Sequence, residues 1–257
     1  FMQRGEPAIL SKWQRAALAV SCGADLVLEL PCAFTLRSAE FFAQGGVSLL
    51  AASGCVNALC CGVESADCDF SALARIACDA NVQAQLQALL RQGTSYASAW
   101  EQLFAAHSEK LDKPLSSPND ILALSYTQAI LRHGYDIEPF YVQRQDSGYN
   151  STQISSTLAS ATAIRQALAT GNASWQQAVP HTVQDALPHA GYDERLLWQL
   201  ICYRLRLLSP AEIAARTECS EGLENRLKQA ADCVSLAEAD AACSSKRYTA
   251  SRCRRLL

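Results

Sequence analysis

Ser116-Ser117-Pro118-Asn119-Asp120, a helix-forming run over residues 121–132 closed by Gly134, and then Ile137-Glu138-Pro139-Phe140-Tyr141-Val142 form the stretch that decides the fold. A polar start with proline, a glycine just past the last helical residue and a short β-forming run spell loop, helix and strand. The same grammar stands upstream. Residues 37–52 carry Phe41, Phe42, Val47, Leu49 and Leu50 on a broad apolar face, Gly54 closes that helix, and Val56-Asn57-Ala58-Leu59-Cys60-Cys61 reads as a strand. Between the two strands, residues 71–91 predict one long amphipathic helix capped by Gly93, and residues 98–107 predict another. Strands separated by helices imply an α/β fold with a parallel sheet. Ligands of such sheets sit at the carboxyl ends of the strands, so the polar segments after Leu30, Cys61 and Val142 are where chemistry is expected.

Outward from this centre, Phe1 to Trp13 reads as a strand exit, a glycine turn at Gly5 and a helix start, with the strand feeding that turn expected before Phe1. An Ala/Leu-rich helix over residues 15–23 ends at Gly23, and Ala24-Asp25-Leu26-Val27-Leu28-Glu29-Leu30-Pro31 predicts a strand stopped by proline. From about residue 172 the pattern is helical only, over residues 193–208, 210–216, 221–233 and 247 onward. The expected organisation is therefore an α/β domain over residues 1–171 and a helical domain over residues 172–257, whose final Leu256-Leu257 reads as a helix cut short.

Net charge is −3, so any polyanion site must be a local cluster of cations. One such cluster is Lys246-Arg247-Tyr248-Thr249-Ala250-Ser251-Arg252-Cys253-Arg254-Arg255, with cations and no acid. Charged residues are 18% and hydrophobic ones 49%, yet no apolar run reaches roughly 18 residues, which argues against a membrane span. There is no secretory signal pattern. The twelve cysteines lie in apolar runs such as Leu59-Cys60-Cys61-Gly62, which predicts buried thiols in a reducing cytoplasm. No zinc-knuckle spacing occurs, and no metal site is assigned.

The strand-end loops share one theme, the handling of an anionic nucleotide. Gly62 follows a strand, where a missing side chain lets a base or phosphate approach the backbone, although a plain turn glycine is the commoner reason for such a residue. Asn119 precedes a helix, where its amide can donate and accept together or serve a helix start. Arg144 stands just past a strand, suited to clamping a phosphate or to a solvated surface. Ser160-Ala161-Thr162-Ala163-Ile164-Arg165 opens a helix whose first-turn amides, with Arg165, suit an anion or an ordinary capped terminus. No histidine stands near a serine or cysteine in a nucleophile setting, and the pairs Glu64/Asp67 and Glu138/Asp146 have no spacing that joins them, so no catalytic residue is assigned.

Taken in order, Gln3-Arg4-Gly5-Glu6-Pro7-Ala8, Lys12-Trp13-x-Arg15-Ala16, Ser117-Pro118-Asn119-Asp120-Ile121-Leu122, Ser147-Gly148-Tyr149, Ser160-Ala161-Thr162-Ala163-Ile164-Arg165, Glu221-Gly222-Leu223-Glu224-Asn225-Arg226 and Lys246-Arg247-Tyr248-Thr249 resemble the bacterial tRNA(Met) cytidine acetate ligase family nearly end to end. The resemblance implies a Rossmann-like nucleotidyltransferase domain followed by a helical domain. It implies ATP as a substrate, with Mg2+ as its companion ion, acetate as the second substrate, and acetylation of the wobble cytidine of elongator tRNA(Met) through acetyl-adenylate in the cytoplasm. By motif, Gly62, Asn119 and Arg144 would contact ATP and Arg165 would face its phosphates. Lys246, Arg247, Arg252, Arg254 and Arg255 would meet tRNA phosphates with salt-sensitive affinity. The family's His-x-Gly-His-like element is expected before Phe1, so these residues alone are expected to be inactive. Two rival readings are a nucleotidyltransferase of cofactor synthesis and a non-catalytic RNA-binding module.

Overall fold

The computed structural model describes residues 1–94, 96–107, 117–144, 154, 158–216, 218–219, 222–245 and 248–257. In chain order they form α1 (Lys12–Ser21), α2 (Cys32–Thr35), α3 (Ala39–Ala52), β1 (Ala58–Val63), α4 (Phe70–Cys78), α5 (Ala80–Arg91), α6 (Tyr96–His107), α7 (Pro118–His133), β2 (Glu138–Gln143), α8 (Ala161–Ala169), α9 (His181–Gln184), α10 (Glu194–Leu207), α11 (Pro210–Ala214), α12 (Leu223–Ala230), α13 (Leu236–Cys243) and α14 (Ala250–Leu256). Two 3-10 turns lie at Ala173–Ala178 and Leu187–His189. The chain gathers into two compact units, Arg37–Gln145 and Phe1–Leu36 with Asp146–Leu257. Compactness and composition thus divide it at different places, since the change to helices alone near residue 172 falls inside the second unit.

In the unit Arg37–Gln145, β1 and β2 pair in parallel, Ala58 opposite Glu138 and Val63 opposite Gln143. The ladder is extended at both ends, where the Glu138 amide donates to the Asn57 carbonyl and the Arg144 amide to the Val63 carbonyl, each at 2.9 Å. Parallel strands need a long crossover, here built from α4 to α7. Helix α7 is the crossover's centrepiece. Ser117 stands at its N-cap, Pro118 in its first turn, Arg132 and His133 in its last, and Gly134 ends it in the left-handed region at φ 62°.

Much of the circumference of α7 is buried, from Asp120, Ala123 and Leu124 to Thr127, Ala129 and Ile130. Against one side pack Val47 of α3 and Ile137, with Ala129 and Ile130; against another pack Phe70, Leu73, Ala74 and Ala77 of α4, with Ala123 and Leu124. The alanines on both partners let the backbones come close. The Thr127 and Tyr141 hydroxyls share a 2.6 Å hydrogen bond, tying α7 to β2, and the Tyr141 ring lies 4.9 Å from that of Phe70.

Three expectations are corrected. Residues 24–31 form no strand; Leu26, Val27 and Leu28 are exposed, and no ladder partner meets them among the described residues. A strand is a pairing property, and among the described residues the β-forming run meets no edge to join. Residues 71–91 are two helices, because Asp79 is extended at ψ 131° and turns its carboxylate to the amides of Asn81 and Val82 at 2.8 and 3.2 Å. That is an N-cap winning over helix continuation. The cysteines are not uniformly buried: Cys219, Cys243 and Cys253 are, whereas Cys22, Cys32, Cys55 and Cys60 are exposed. Burial pushes the Cys243 thiol up to about 12.

The second unit holds a core of Leu10, Ala167, Trp175 and Leu187, and a larger one in which Trp198, Leu205, Leu223, Leu227, Ala239, Cys243 and Cys253 join α10 to α14. Helix α13 was not foreseen, although Ser235 caps it by accepting from the Glu238 amide at 3.2 Å. No helix among the described residues is long and apolar enough to cross a membrane.

Because Phe70 is 1% exposed and joins α4, α7 and β2, Phe70→Ala is expected to lower the stability of the unit Arg37–Gln145 by about 3–5 kcal/mol, read from denaturant unfolding. A loss under about 1 kcal/mol would contradict this packing.

Candidate functional site

The carboxyl ends of β1 and β2 lie side by side, and both strands hand over to polar residues there. Gly62 is exposed near the end of β1, and the chain continues through Val63 to Glu64 and Ser65. Arg144 follows β2, its amide held by Val63 and its side chain folded back over Gly62. A Cβ placed on Gly62 would stand 3.3 Å from Arg144 Cγ and 3.7 Å from its Cδ, so any larger residue pushes the arginine away.

Helix α7 delivers the third residue. Asn119 sits in its first turn and donates from Nδ2 to Glu64 Oε1 at 2.5 Å. The same Glu64 oxygen lies 3.9 Å from Arg144 Nε. That pair is loose and partly exposed, worth no more than about 1 kcal/mol. Beneath them, Asp120 is 1% exposed, and its carboxylate accepts from the Glu64 amide at 2.8 Å, the Ser65 amide at 3.2 Å and the Ser65 hydroxyl at 2.8 Å.

Gly62, Asn119 and Arg144, far apart in sequence, therefore meet around one carboxylate at the strand ends. The cluster offers a guanidinium, an amide that donates and accepts, and backbone left open by glycine, a set suited to anions and hydroxyls. Glu64, Ser65 and Asp120 were given no binding role from sequence; their signal was position, just past a strand and inside the first turn of the helix beside it. The thiols nearby are poor nucleophiles. Burial, then the neighbouring Cys60, raises Cys61 to about 11, while burial, then Asp120 and Asp69, raises Cys68 to about 11.

Arg165 belongs to the other unit, on α8, whose N-cap Ser160 accepts from the Ala163 amide at 3.0 Å. It lines a cavity of about 570 Å3 together with Trp175, Tyr192 and Glu194. Lys246 and Arg247 lie outside the described residues.

The remaining three cations each meet an acceptor within the chain. Arg252 donates from Nε and Nη2 to the Glu218 carbonyl at 3.1 and 2.9 Å. Arg254 lies between Glu6, at 2.6 Å, and Asp240, and Arg255 reaches Glu218 at 3.1 Å with its side chain only 10% exposed. Carboxylates from elsewhere in the chain thus pair with Arg254 and Arg255, and a backbone carbonyl with Arg252.

The class of protein follows from fold and site together. A parallel α/β layer with polar groups at its strand ends agrees with the family profile described as HIGH Nucleotidyl Transferase, which matches residues 1–257. Thermotoga maritima TmcAL in its apo form superposes with a TM-score of 0.89 at 29% identity, covering 100% of this chain and 64% of that one. Its structure bound with alpha-thio ATP gives 0.84 at 30% identity. Proteins with the name tRNA(Met) cytidine acetate ligase from Acetivibrio thermocellus, Syntrophomonas wolfei and Clostridium acetobutylicum are 34%, 38% and 33% identical, each matched along 100% of this chain. The chain spans 66%, 65% and 68% of their respective lengths. The chain belongs to the tRNA(Met) cytidine acetate ligase family, a branch of the HIGH nucleotidyltransferases with a Rossmann-like α/β fold.

Arg254→Ala would strand Asp240, whose side chain is 11% exposed, without its cation. The expected cost is about 2 kcal/mol or more in denaturant unfolding. An unchanged midpoint would show that the guanidinium is no structural strut.

Proposed function

We propose that the chain forms the greater part of an ATP-dependent ligase that acetylates the wobble cytidine of elongator tRNA(Met) through an acetyl-adenylate, acting in the cytoplasm. The observation that carries this reading is the meeting of Gly62, Asn119 and Arg144 at the strand ends, in a chain of this family. In the reaction an acetate oxygen attacks the α-phosphorus of ATP and pyrophosphate leaves. The exocyclic amine of cytidine then attacks the acetyl carbonyl, a proton is lost from nitrogen, and AMP departs.

Neither step needs a covalent enzyme intermediate; both need positioning and a charged setting for the leaving group. Arg144 would neutralise phosphate charge, Asn119 would bind a base or sugar group, and Gly62 would let the nucleotide lie against the backbone. Arg165 is proposed to serve the phosphates as well. Mg2+ is proposed as the companion ion of ATP. The thio-ATP complex of the Thermotoga protein supports ATP as the nucleotide.

In functional terms we retain residues 1–171 as the nucleotide-handling part and residues 172–257 as the helical part that meets tRNA. Lys246 and Arg247 are the proposed phosphate contacts. The ion pairs and carbonyl contacts of Arg252, Arg254 and Arg255 favour a second reading for those three, as struts that hold α14.

Arg144→Ala in the full-length protein is expected to weaken ATP binding about tenfold, leaving tRNA affinity intact, by calorimetry and filter binding respectively. Equal loss of both would remove Arg144 from the nucleotide site. Acetate-dependent release of pyrophosphate without tRNA is expected from the full-length wild type; its absence would favour an RNA-binding module.

A further inference from the structure

The buried carboxylate of Asp120 is the least explained feature of the site. It lies among apolar neighbours, beside Ala123 and Leu124 of the α4–α7 core, where an ionised group is costly unless its oxygens are met by donors. They are met. One oxygen takes two backbone amides, Glu64 at 2.8 Å and Ser65 at 3.2 Å, and the other takes the Ser65 hydroxyl at 2.8 Å. Every one of these donors belongs to the loop that leaves β1, and the acceptor belongs to the first turn of α7, more than fifty residues later.

The consequence lies in the flanking residues. Asn119 is the neighbour of Asp120, and Glu64 is the residue whose amide Asp120 holds. Fixing this joint sets the distance over which Asn119 Nδ2 reaches Glu64 Oε1, 2.5 Å, and leaves that oxygen facing Arg144 Nε at 3.9 Å. Backbone amides, unlike long side chains, have no rotamers with which to absorb a shift, so movement of the loop would be passed directly to the cluster above it. Charge-assisted hydrogen bonds are about twice as strong as neutral ones, which suits a fixed joint.

We propose that Asp120 is a positioning residue, holding the loop after β1 against α7 so that Asn119, Glu64 and Arg144 are preorganised for a nucleotide. It acts through its neighbours and does not touch substrate. The proposal rests on the nucleotide reading given above and adds to it a residue with a distinct role and a distinct chemical signature.

That signature is the tolerance of the joint to an uncharged acceptor. In Asp120→Asn the amide oxygen can still accept from both backbone amides, and its NH2 can donate to the Ser65 oxygen. In Asp120→Ala all three contacts vanish, and in Ser65→Ala only the hydroxyl contact does. The test uses full-length wild type and these three variants, with ATP affinity by calorimetry, tRNA affinity by filter binding and thermal unfolding midpoints.

Asp120→Ala is expected to weaken ATP binding about tenfold or more while tRNA affinity stays within about twofold. Asp120→Asn should recover to within about threefold of wild type, and Ser65→Ala should lose a few-fold with little change in its midpoint. Unchanged ATP affinity in Asp120→Ala, or equal losses in Asp120→Ala and Asp120→Asn, would overturn the positioning role. Should Asp120→Ala not fold, Ser65→Ala decides, and ATP affinity equal to wild type in that variant overturns the proposal. Failure of the wild type itself to bind ATP would instead bring down the nucleotide reading, and this proposal with it.

Discussion

Two parallel strands must leave the sheet at the same edge, and the pairing of β1 with β2 imposes that geometry on residues 37–145. The chain cannot turn back tightly, so it returns through the crossover that holds α4 to α7, and α7 is packed between α3 and α4. Its start then falls beside the ends of both strands, as the hydrogen bonds from Glu64 and Ser65 to Asp120 record. The clustering of Gly62, Asn119 and Arg144 follows from this arrangement rather than from any one of the three residues. Helix packing against α3 and α4 and the hydrogen-bonded joint at Asp120 both bear on this edge.

What could be read in the sequence was local and periodic. The strands around Cys60 and Phe140, the start of α7 at Ser117-Pro118 and its end at Gly134 were legible because each rests on short-range preferences. Residues 24–31 misled for the opposite reason, as a run of Leu and Val becomes a strand only where another strand offers hydrogen bonds. Asp79 misled because a side chain two or three residues from an amide can outbid helix continuation.

The site was legible in part. Gly62, Asn119 and Arg144 announced themselves by lying at predicted strand or helix ends, and the resemblance to a family sharpened that into the expectation of a nucleotide site. The carboxylates between and beneath them did not, since nothing along the chain says that Asp120 will turn toward residues 64 and 65. Charge was the weakest guide. The last residues of the chain read as a cationic strip, yet folding brings Glu6, Glu218 and Asp240 onto the arginines there, so a run of one sign in sequence is a mixed network in space.

The most direct measurement is a crystal structure of the full-length protein with alpha-thio ATP. The nucleotide is expected against the backbone at Gly62, with Arg144 and Asn119 within hydrogen-bond distance of it and the Asp120 contacts to Glu64 and Ser65 unchanged. A nucleotide bound elsewhere, touching none of Gly62, Asn119 and Arg144, would contradict it.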